Sequence, residues 1–292
     1  MEMHAYCADE RLYDVASLYG IMDGPMPPVP MTAHNLLAFN PCDVEITGDA
    51  QGLGARVAAC AMTEGGRRTG KGPGRMVFVY MIGGAMNRVL GLDPSTLVTP
   101  RAIEPGESAV IDRLLPDLIR VVDDRRAIVE TLDAHFLAAL AEAPPLGLED
   151  AALAMLAGAD LLPPPLVAQR LGISQRTLQR RFLKRHGCPP SRYLRHLRLM
   201  RSHPESLRDV EWSRVPPELD YFDQPHWLRD MREIYGTNPT EMHAMALADW
   251  HHYPPGCFEK DAGPAGWQEA HIAKMRDTWW TERRELIERV AS

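Results

Sequence analysis

The sequence predicts an α+β fold, in which a β-rich N-terminal domain is followed by an all-helical domain. Short β-rich runs separated by turn formers fill the region before Gly83, and apolar residues recur at helical spacing beyond it. A cluster of basic residues later coincides with consecutive predicted helices joined by tight turns. At 292 residues, the chain is long enough to build two separate cores.

The predicted strands of the first domain are bounded by turn residues. They cover Asn35–Phe39, Val44–Thr47, Arg56–Met62 and Met76–Ile82. Residues 1–30 end in the proline-rich stretch GPMPPVP, which we expect to be a surface arm because proline cannot join a sheet interior. Residues 63–75 lack the G-x-x-x-x-G-K-[ST] order of a phosphate loop, so a mobile hairpin loop is favoured. These strands predict a small β-barrel or half-barrel with attached helices.

The helical pattern of the first domain starts after Gly83-Gly84. It predicts a helix over Ala85–Leu90, a cap at Asp93, and two or three helices between Glu107 and Ala143 that are interrupted at Pro116. The stretch Arg125–Leu140 carries an apolar stripe with a four-residue repeat. The stripe consists of Ile128, Leu132, Phe136 and Leu140. Core packing is the favoured interpretation, and the seam of a homodimer is the alternative.

The segment Val167–Leu197 has the pattern helix, tight turn, helix, turn, helix. Gly172 supplies the positive φ angle that a sharp turn needs, and Ser174 caps the next helix. Leu178 and Phe182 face inward on that helix. The opposite side carries Gln175, Arg176, Gln179, Arg180 and Lys184. This combination is what reading of the DNA major groove requires, because Arg pairs with guanine and Gln with adenine.

Charge is unevenly distributed along the chain. The formal net charge is −7, from 32 Lys and Arg against 39 Asp and Glu. Residues 166–201 contain ten Lys or Arg and no Asp or Glu, so the rest of the chain has 22 against 39, a net −17. Such a basic segment on an acidic body predicts local binding of a polyanion.

The same segment resembles the AraC/XylS transcription regulators. The matching residues are the A-x-x-L-G-I-S-x-R-x-L-Q-R-x-F run of Ala168–Phe182, followed by Gly187, Pro190, Tyr193, Leu194 and Arg198. The resemblance implies two helix-turn-helix units, joined by a rigid helix, that enter successive major grooves roughly 34 Å apart. It also implies a cupin-like effector domain, a small-molecule effector, a homodimer, and an activator that contacts RNA polymerase.

The second unit is less regular than the first. We expect the connecting helix, Ser191–Ser202, to end or kink at His203-Pro204. The stretch Tyr221–Pro239 is similar to the family's second reading helix. In it, Asp223 would cap the helix, and Trp227 and Met231 would form its core. Gly236 and Pro239 would complete the closing turn. Pro216-Pro217 and Asp220 depart from the family pattern of the supporting helix. We therefore expect the first unit to supply most of the specificity.

The residues expected to touch DNA follow from these two units. Arg176, Gln179 and Arg180 are expected at base edges, and Arg181, Lys184, Arg192 and Arg195 at phosphates. The complete set adds Gln175, Thr177, Gln224, His226 and Arg229.

The domain boundaries are expected at residues 1–145 for the effector-binding and dimerisation domain, 146–248 for the DNA-binding domain, and 249–292 for a linker and tail. Pro144-Pro145 and Gly147 mark the first boundary, and Leu148–Ala157 forms the next helix. The tail predicts an amphipathic helix over Trp267–Val290. Its apolar stripe comprises Ile272, Met275, Trp279, Leu286, Ile287 and Val290. We favour its packing onto the body over a dimer partner or another protein.

Other functions find less support in the sequence. Five scattered cysteines and no long apolar run predict a reduced, cytoplasmic protein. His251-His252 with Cys257, or His4 with Cys7, lack the spacing of a metal site. We find no catalytic motif and expect no cofactor and no enzyme activity. Two alternatives stay open: a protein–protein adaptor with weak DNA binding, and an enzyme with an appended DNA-binding unit.

Overall fold

Two antiparallel sheets lie in the first part of the chain. The structure is a computed structural model that describes residues 2–23, 29–30, 35–40, 45–48, 51–53, 56–60, 67–71, 75–98, 101–158, 161–206, 221, 223–236, 238, 240 and 265–291. The predictions for Pro216-Pro217, Asp220, Pro239, His251-His252 and Cys257 lie outside the described residues. No helix of the described part is both long and apolar enough to cross a membrane.

The larger sheet has six strands in the order β1-β2-β9-β4-β7-β10. These are β1 Glu2–Cys7, β2 Ala16–Asp23, β9 Arg75–Met81, β4 Asn35–Phe39, β7 Val57–Cys60 and β10 Arg101–Ala102. The smaller sheet has the order β3-β8-β5-β6, formed by β3 Val29–Pro30, β8 Arg67–Lys71, β5 Glu45–Gly48 and β6 Gln51–Leu53.

The register of the larger sheet separates two apolar faces. Leu37 pairs with Ala59 on one side and Val79 on the other, and these residues belong to the core that includes the helices of this domain. Ala38 pairs with Ala58 and Phe78, which face the opposite way in a second apolar cluster. The alternation follows from the two-residue period of a strand.

The first strands differ from the prediction in three places. None of the predicted strands lies in residues 1–23, yet β1 and β2 lie there, and β2 lies inside the sheet between β1 and β9. Gly20 weakens the β-like pattern of β2, but Tyr19 and Ile21 on its buried face determine the packing. Residues 67–71 form β8 within the expected loop. The end of the expected arm, Val29–Pro30, forms an edge strand, the position in a sheet that tolerates proline.

Three helices complete this domain: α1 Ala85–Arg88, α2 Ala109–Arg120 and α3 Arg125–Glu142, with a short 3-10 helix at Pro94–Thr96 after the Asp93 cap. The expected interruption at Pro116 was wrong, because α2 continues through it. Pro116 has no N–H to donate to the carbonyl of Asp112. Both residues are exposed, so water can bind this carbonyl instead.

The apolar stripe of α3 is part of the core. Ile128, Leu132 and Phe136 are fully buried within the chain, and Leu140 packs against the same cluster. The favoured interpretation of the stripe is confirmed. Ile128, Leu132 and Phe136 are therefore not the seam of a homodimer.

The second part of the chain is helical, as predicted. Its helices are α4 Leu148–Ala157, α5 Pro164–Arg170, α6 Gln175–His186, α7 Pro190–Ser206, α8 Gln224–Tyr235 and α9 Ala265–Ala291. The connecting helix α7 does not end at His203-Pro204 but continues to Ser206. Pro204 has no N–H to donate to the carbonyl of residue 200, so the helix loses one hydrogen bond close to its C-terminal end.

Helix α9 packs back onto the body, as favoured. Its Leu286 is buried in a core shared with α4, α5, α6 and α7, and Trp279, Ile287 and Val290 pack against it. A separate core of Leu199, Tyr221, Trp227, Met231 and Ile234 joins α7 to α8.

Candidate nucleic-acid interface

Local geometry places α6 as the sequence predicts. Gly172, in the turn before α6, has a φ of 63°. The Ser174 hydroxyl caps α6 by accepting from the Thr177 N–H at 3.1 Å. Gly187 ends the helix with a φ of 80°. The predicted turn and the Ser174 cap are confirmed.

Helix α6 has one buried and one exposed face. Leu178, Phe182 and His186 are buried, and they hold the helix on its core. Arg176, Arg180 and Lys184 are exposed on the opposite side and form no ion pair with any residue that the structure describes. Gln175 and Gln179 are also exposed. The side chains predicted at base edges are thus brought together on one accessible surface, which we call the α6 outer face (Gln175, Arg176, Gln179, Arg180 and Lys184).

Two other basic residues of α6 form ion pairs with carboxylates of α4. Arg181 Nε donates to Glu149 Oε1 at 2.5 Å, although its side chain remains 43% exposed. Arg185 Nη2 donates to Asp150 Oδ2 at 3.0 Å, and its Nη1 donates to Asn87 Oδ1 at 3.1 Å. Arg185 therefore connects α6 to α4 and to α1 of the β domain.

The C-terminal end of α6 contacts the turn between β9 and α1. A Cβ atom at Gly84 would lie 3.1 Å from His186 Cε1, and one at Gly83 would lie 3.1 Å from the Tyr193 hydroxyl. Burial lowers the pKa of His186 to about 4, and its Nε2 lies 3.2 Å from the Glu149 carbonyl oxygen. The imidazole is therefore neutral at pH 7 and packs on Phe182 at a centroid distance of 4.2 Å.

Helix α8 has the caps predicted for a second reading helix. Asp223 Oδ1 accepts from the His226 N–H at 2.8 Å, and Gly236 ends the helix with a φ of 65°. Gln224 and Arg229 are exposed, whereas His226 is half-buried. Its ring packs against the Tyr221 ring, with 5.2 Å between the two centroids. Two of the three predicted DNA contacts of this helix are thus fully accessible.

Two predicted phosphate contacts on α7 are less accessible than those on α6. Arg192 is half-buried. Arg195 binds two carboxylates of α8: its Nη2 donates to Asp230 Oδ1 at 2.7 Å, and it also pairs with Glu233. The hydrogen bond to Asp230 is the largest cause that raises the pKa of Arg195, so its charge is fixed.

Several residues at the interface were not predicted. The carboxylates of Glu149, Asp150, Asp230 and Glu233 reduce the excess positive charge that the sequence counts along residues 166–201. Arg232 adds an exposed cation to α8. Asp230 lies three residues after Trp227, on the buried side of α8. This position is the sequence feature that indicates the network.

Residues 167–245 match the family profile described as "Helix-turn-helix domain". The chain carries an AraC-type helix-turn-helix domain. This is a domain type of DNA-binding transcription regulators, and it covers α6, α7 and α8. Comparison with the curated proteins finds no match.

The chain is also similar to solved structures of ToxT from Vibrio cholerae. A single-residue variant of apo ToxT from strain SCE256 has a TM-score of 0.42 and 8% identity, over 78% of this chain and 97% of that one. ToxT from strain O395 bound to (E)-4-(8-methylnaphthalen-1-yl)but-3-enoic acid has a TM-score of 0.42 and 7% identity, over 84% and 97%. At these values, nothing about the ligand or partners of this chain follows from the similarity.

Proposed function

We propose that this protein is a sequence-specific, DNA-binding transcription regulator that responds to a small-molecule effector. The observation that carries the proposal is the α6 outer face of the AraC-type domain, which exposes two arginines, two glutamines and a lysine. A buried stripe on the other side anchors the helix. Anchoring matters because base edges are read by side chains held in a fixed register.

The α6 outer face divides into two roles. Arg176, Gln179 and Arg180 would bind base edges in the major groove, because Arg and Gln form bidentate pairs with guanine and adenine. Lys184, further along the helix, would bind phosphate. Gln175 and Thr177 lie in the first turn of α6 and would contact the DNA backbone there. The free N–H groups at the start of the helix also favour phosphate.

Arg181 and Arg192 remain proposed phosphate contacts. Arg181 supports this role through its 43% exposed side chain, since an exposed ion pair with Glu149 is easily exchanged for a phosphate. In the second unit, Gln224 and Arg229 would reach DNA, and His226 would do so only at its exposed edge.

The effector would act through the β domain. The second face of its six-stranded sheet is apolar and lined partly by small side chains, Ala38 and Ala58, beside Met22, Met76 and Phe78. Strand β9 crosses this face and leads directly into the Gly83-Gly84 turn, which contacts His186 and Tyr193. A ligand that shifts β9 would therefore move the support of α6.

Three further properties stay predictions. A homodimer is expected from the family resemblance, and it would use a surface other than the buried stripe of α3. Contact with RNA polymerase, as an activator makes, rests on the same resemblance. A cytoplasmic location is consistent with the reduced thiols of Cys7 and Cys60.

Selection from random DNA by the purified full-length chain, at near-physiological salt, tests the proposed function. We expect enrichment of one motif, and we expect the enriched duplex to bind at least about tenfold more tightly than scrambled DNA. Uniform binding that disappears evenly as salt rises would contradict specific recognition. That result would instead favour the protein–protein adaptor.

A further inference from the structure

A partly buried cluster of polar side chains joins α7 to the second reading helix, α8. Arg195 Nη2 and Nε both donate to Asp230 Oδ1, at 2.7 and 3.2 Å. The Tyr221 hydroxyl donates to Asp230 Oδ2 at 3.2 Å. Arg195 also donates to Glu233, less than one turn further along α8. One arginine thus binds both carboxylates of this helix.

Asp230 needs these partners because it is buried. Its side chain is only 3% exposed and lies on the same side of α8 as Trp227, Met231 and Ile234. A buried carboxylate that loses its cation is an uncompensated charge, which is strongly unfavourable. The packing of α8 on α7 therefore depends on Arg195.

The same contact changes the charge that α8 presents to DNA. Residues 224–235 contain Arg229 and Arg232 against Asp230 and Glu233, a formal net charge of zero. Helix α8 together with Arg195 carries one net positive charge. The exposed cations of α8, Arg229 and Arg232, are then not offset by unpaired carboxylates. Like-charged phosphates and carboxylates repel, so this neutralisation favours docking of α8.

We propose that Arg195 is a positioning residue, which orients the second reading helix through Asp230 and Glu233, and not a phosphate ligand. This inference rests on the proposed function and extends it to the spacing of half-sites. Helix α7 has 17 residues, a length of about 25 Å. The partly buried cluster fixes α8 on this spacer before DNA binds, so the protein reads two half-sites at a fixed separation.

The test compares Arg195→Ala and Asp230→Asn with the wild-type chain on three duplexes. These are the selected two-half-site duplex, the same duplex with the second half scrambled, and the one with the first half scrambled. Asp230 is buried and does not reach DNA, which makes Asp230→Asn the matched variant. The double variant, Arg195→Ala/Asp230→Asn, completes a thermodynamic cycle.

We expect both single variants to lose at least about tenfold in affinity for the two-half-site duplex, as for loss of one good base contact or more. Affinity for the duplex with only the first half intact should stay within about twofold, which also shows that the chain is folded. The double variant should bind no worse than the weaker single variant, because the two residues act as a unit.

Other results would overturn the inference. If Arg195 is a phosphate ligand, Arg195→Ala weakens binding to every duplex and lowers the salt slope by about one, while Asp230→Asn has no such effect. If the wild-type chain selects only one half-site, α8 does not read DNA, and Arg195 then has no second reading helix to position. If the wild-type chain selects no motif at all, the proposed function itself fails, which is a separate outcome.

Discussion

Arg283, in the C-terminal helix α9, donates a hydrogen bond to Asp14 of the β domain, and both side chains are buried. Asp14 also accepts from Arg88. The Arg283 guanidinium lies 4.9 Å from the centre of the Trp279 ring. Leu286, further along α9, enters the core of the helix-turn-helix domain. The tail therefore binds both domains at once and holds them together.

Replacing Arg283 tests this connection. We expect Arg283→Met to lower the free energy of unfolding by about 3 kcal/mol, because it removes one partner of a buried ion pair and leaves only Arg88 for Asp14. Urea-induced unfolding of the full-length chain measures this loss. The matched control is Lys274→Ala, which removes the exposed pair of α9 with Glu10 and should cost no more than about 1 kcal/mol. Equal losses in the two variants would contradict the role of the buried pair.

The contact between the β9–α1 turn and α6 can be tested at Gly84. Gly84 has a φ of 89°, and an added methyl group would meet His186 and Arg185. Gly91 also has a positive φ, 72°, but nothing lies within 4 Å of its Cβ position. We expect Gly91→Ala to cost about 1–2 kcal/mol from backbone strain alone, and Gly84→Ala to cost at least about 1 kcal/mol more. Thermal or urea unfolding of the two variants measures both losses of stability. Equal losses would refute the close contact between Gly84 and α6.

The buried His186 predicts loss of stability in acid. Its pKa falls to about 4 in the folded chain, mainly by burial, against about 6.5 when unfolded. The unfolded chain therefore binds more protons, so the contribution of this histidine is complete above pH 6.5 and is lost as the pH falls towards 4. The charged groups around the ring are Glu149, Asp150 and Arg185.

Unfolding free energies between pH 7 and pH 4 test this prediction. His186 should contribute a slope of up to about 1.4 kcal/mol per pH unit. His196, with its pKa also lowered to about 4 by burial and by Arg192 and Arg195, adds a similar slope. His186→Gln should reduce the overall slope. A slope that does not change in this variant would mean that His186 is not buried as the neutral form.

Sequence patterns predicted the elements whose side chains repeat with a clear period. The turn at Gly172, the cap at Ser174 and the inner stripe of α6 all lie in one local stretch, so local rules located them. The strands β1 and β2 were missed because Gly20 and polar neighbours obscure the alternation. Their place in the sheet depends on pairing with β9, which is distant in sequence.

The site was predicted in part, for a related reason. The exposed residues of α6 follow from helix geometry alone, whereas the partners of Arg181, Arg185 and Arg195 come from other elements. Asp150 is 35 residues from Arg185, and Arg283 is 269 residues from Asp14. Charge counting along the chain detects the excess of cations, but it cannot detect which of them the fold neutralises.

Lys184 provides a test of the predicted phosphate contacts. We expect Lys184→Ala to weaken binding to all duplexes to a similar degree and to lower the slope of log affinity against log salt by about one. Titrations at several salt concentrations measure the slope. The control is Arg126→Ala, a change on α3 whose exposed ion pair with Glu130 lies in the β domain. A change in base preference without a change in slope would place Lys184 at a base edge instead.

The most direct test of DNA reading by α6 is equilibrium binding of Arg180→Ala to the selected duplex and to a series with single base-pair substitutions. We expect a loss of about 1–3 kcal/mol on the selected duplex and relaxed preference at one base pair, with the other preferences retained. Unchanged affinity and unchanged preference would remove Arg180 from the reading surface. That result would contradict the central claim that the α6 outer face recognises DNA sequence.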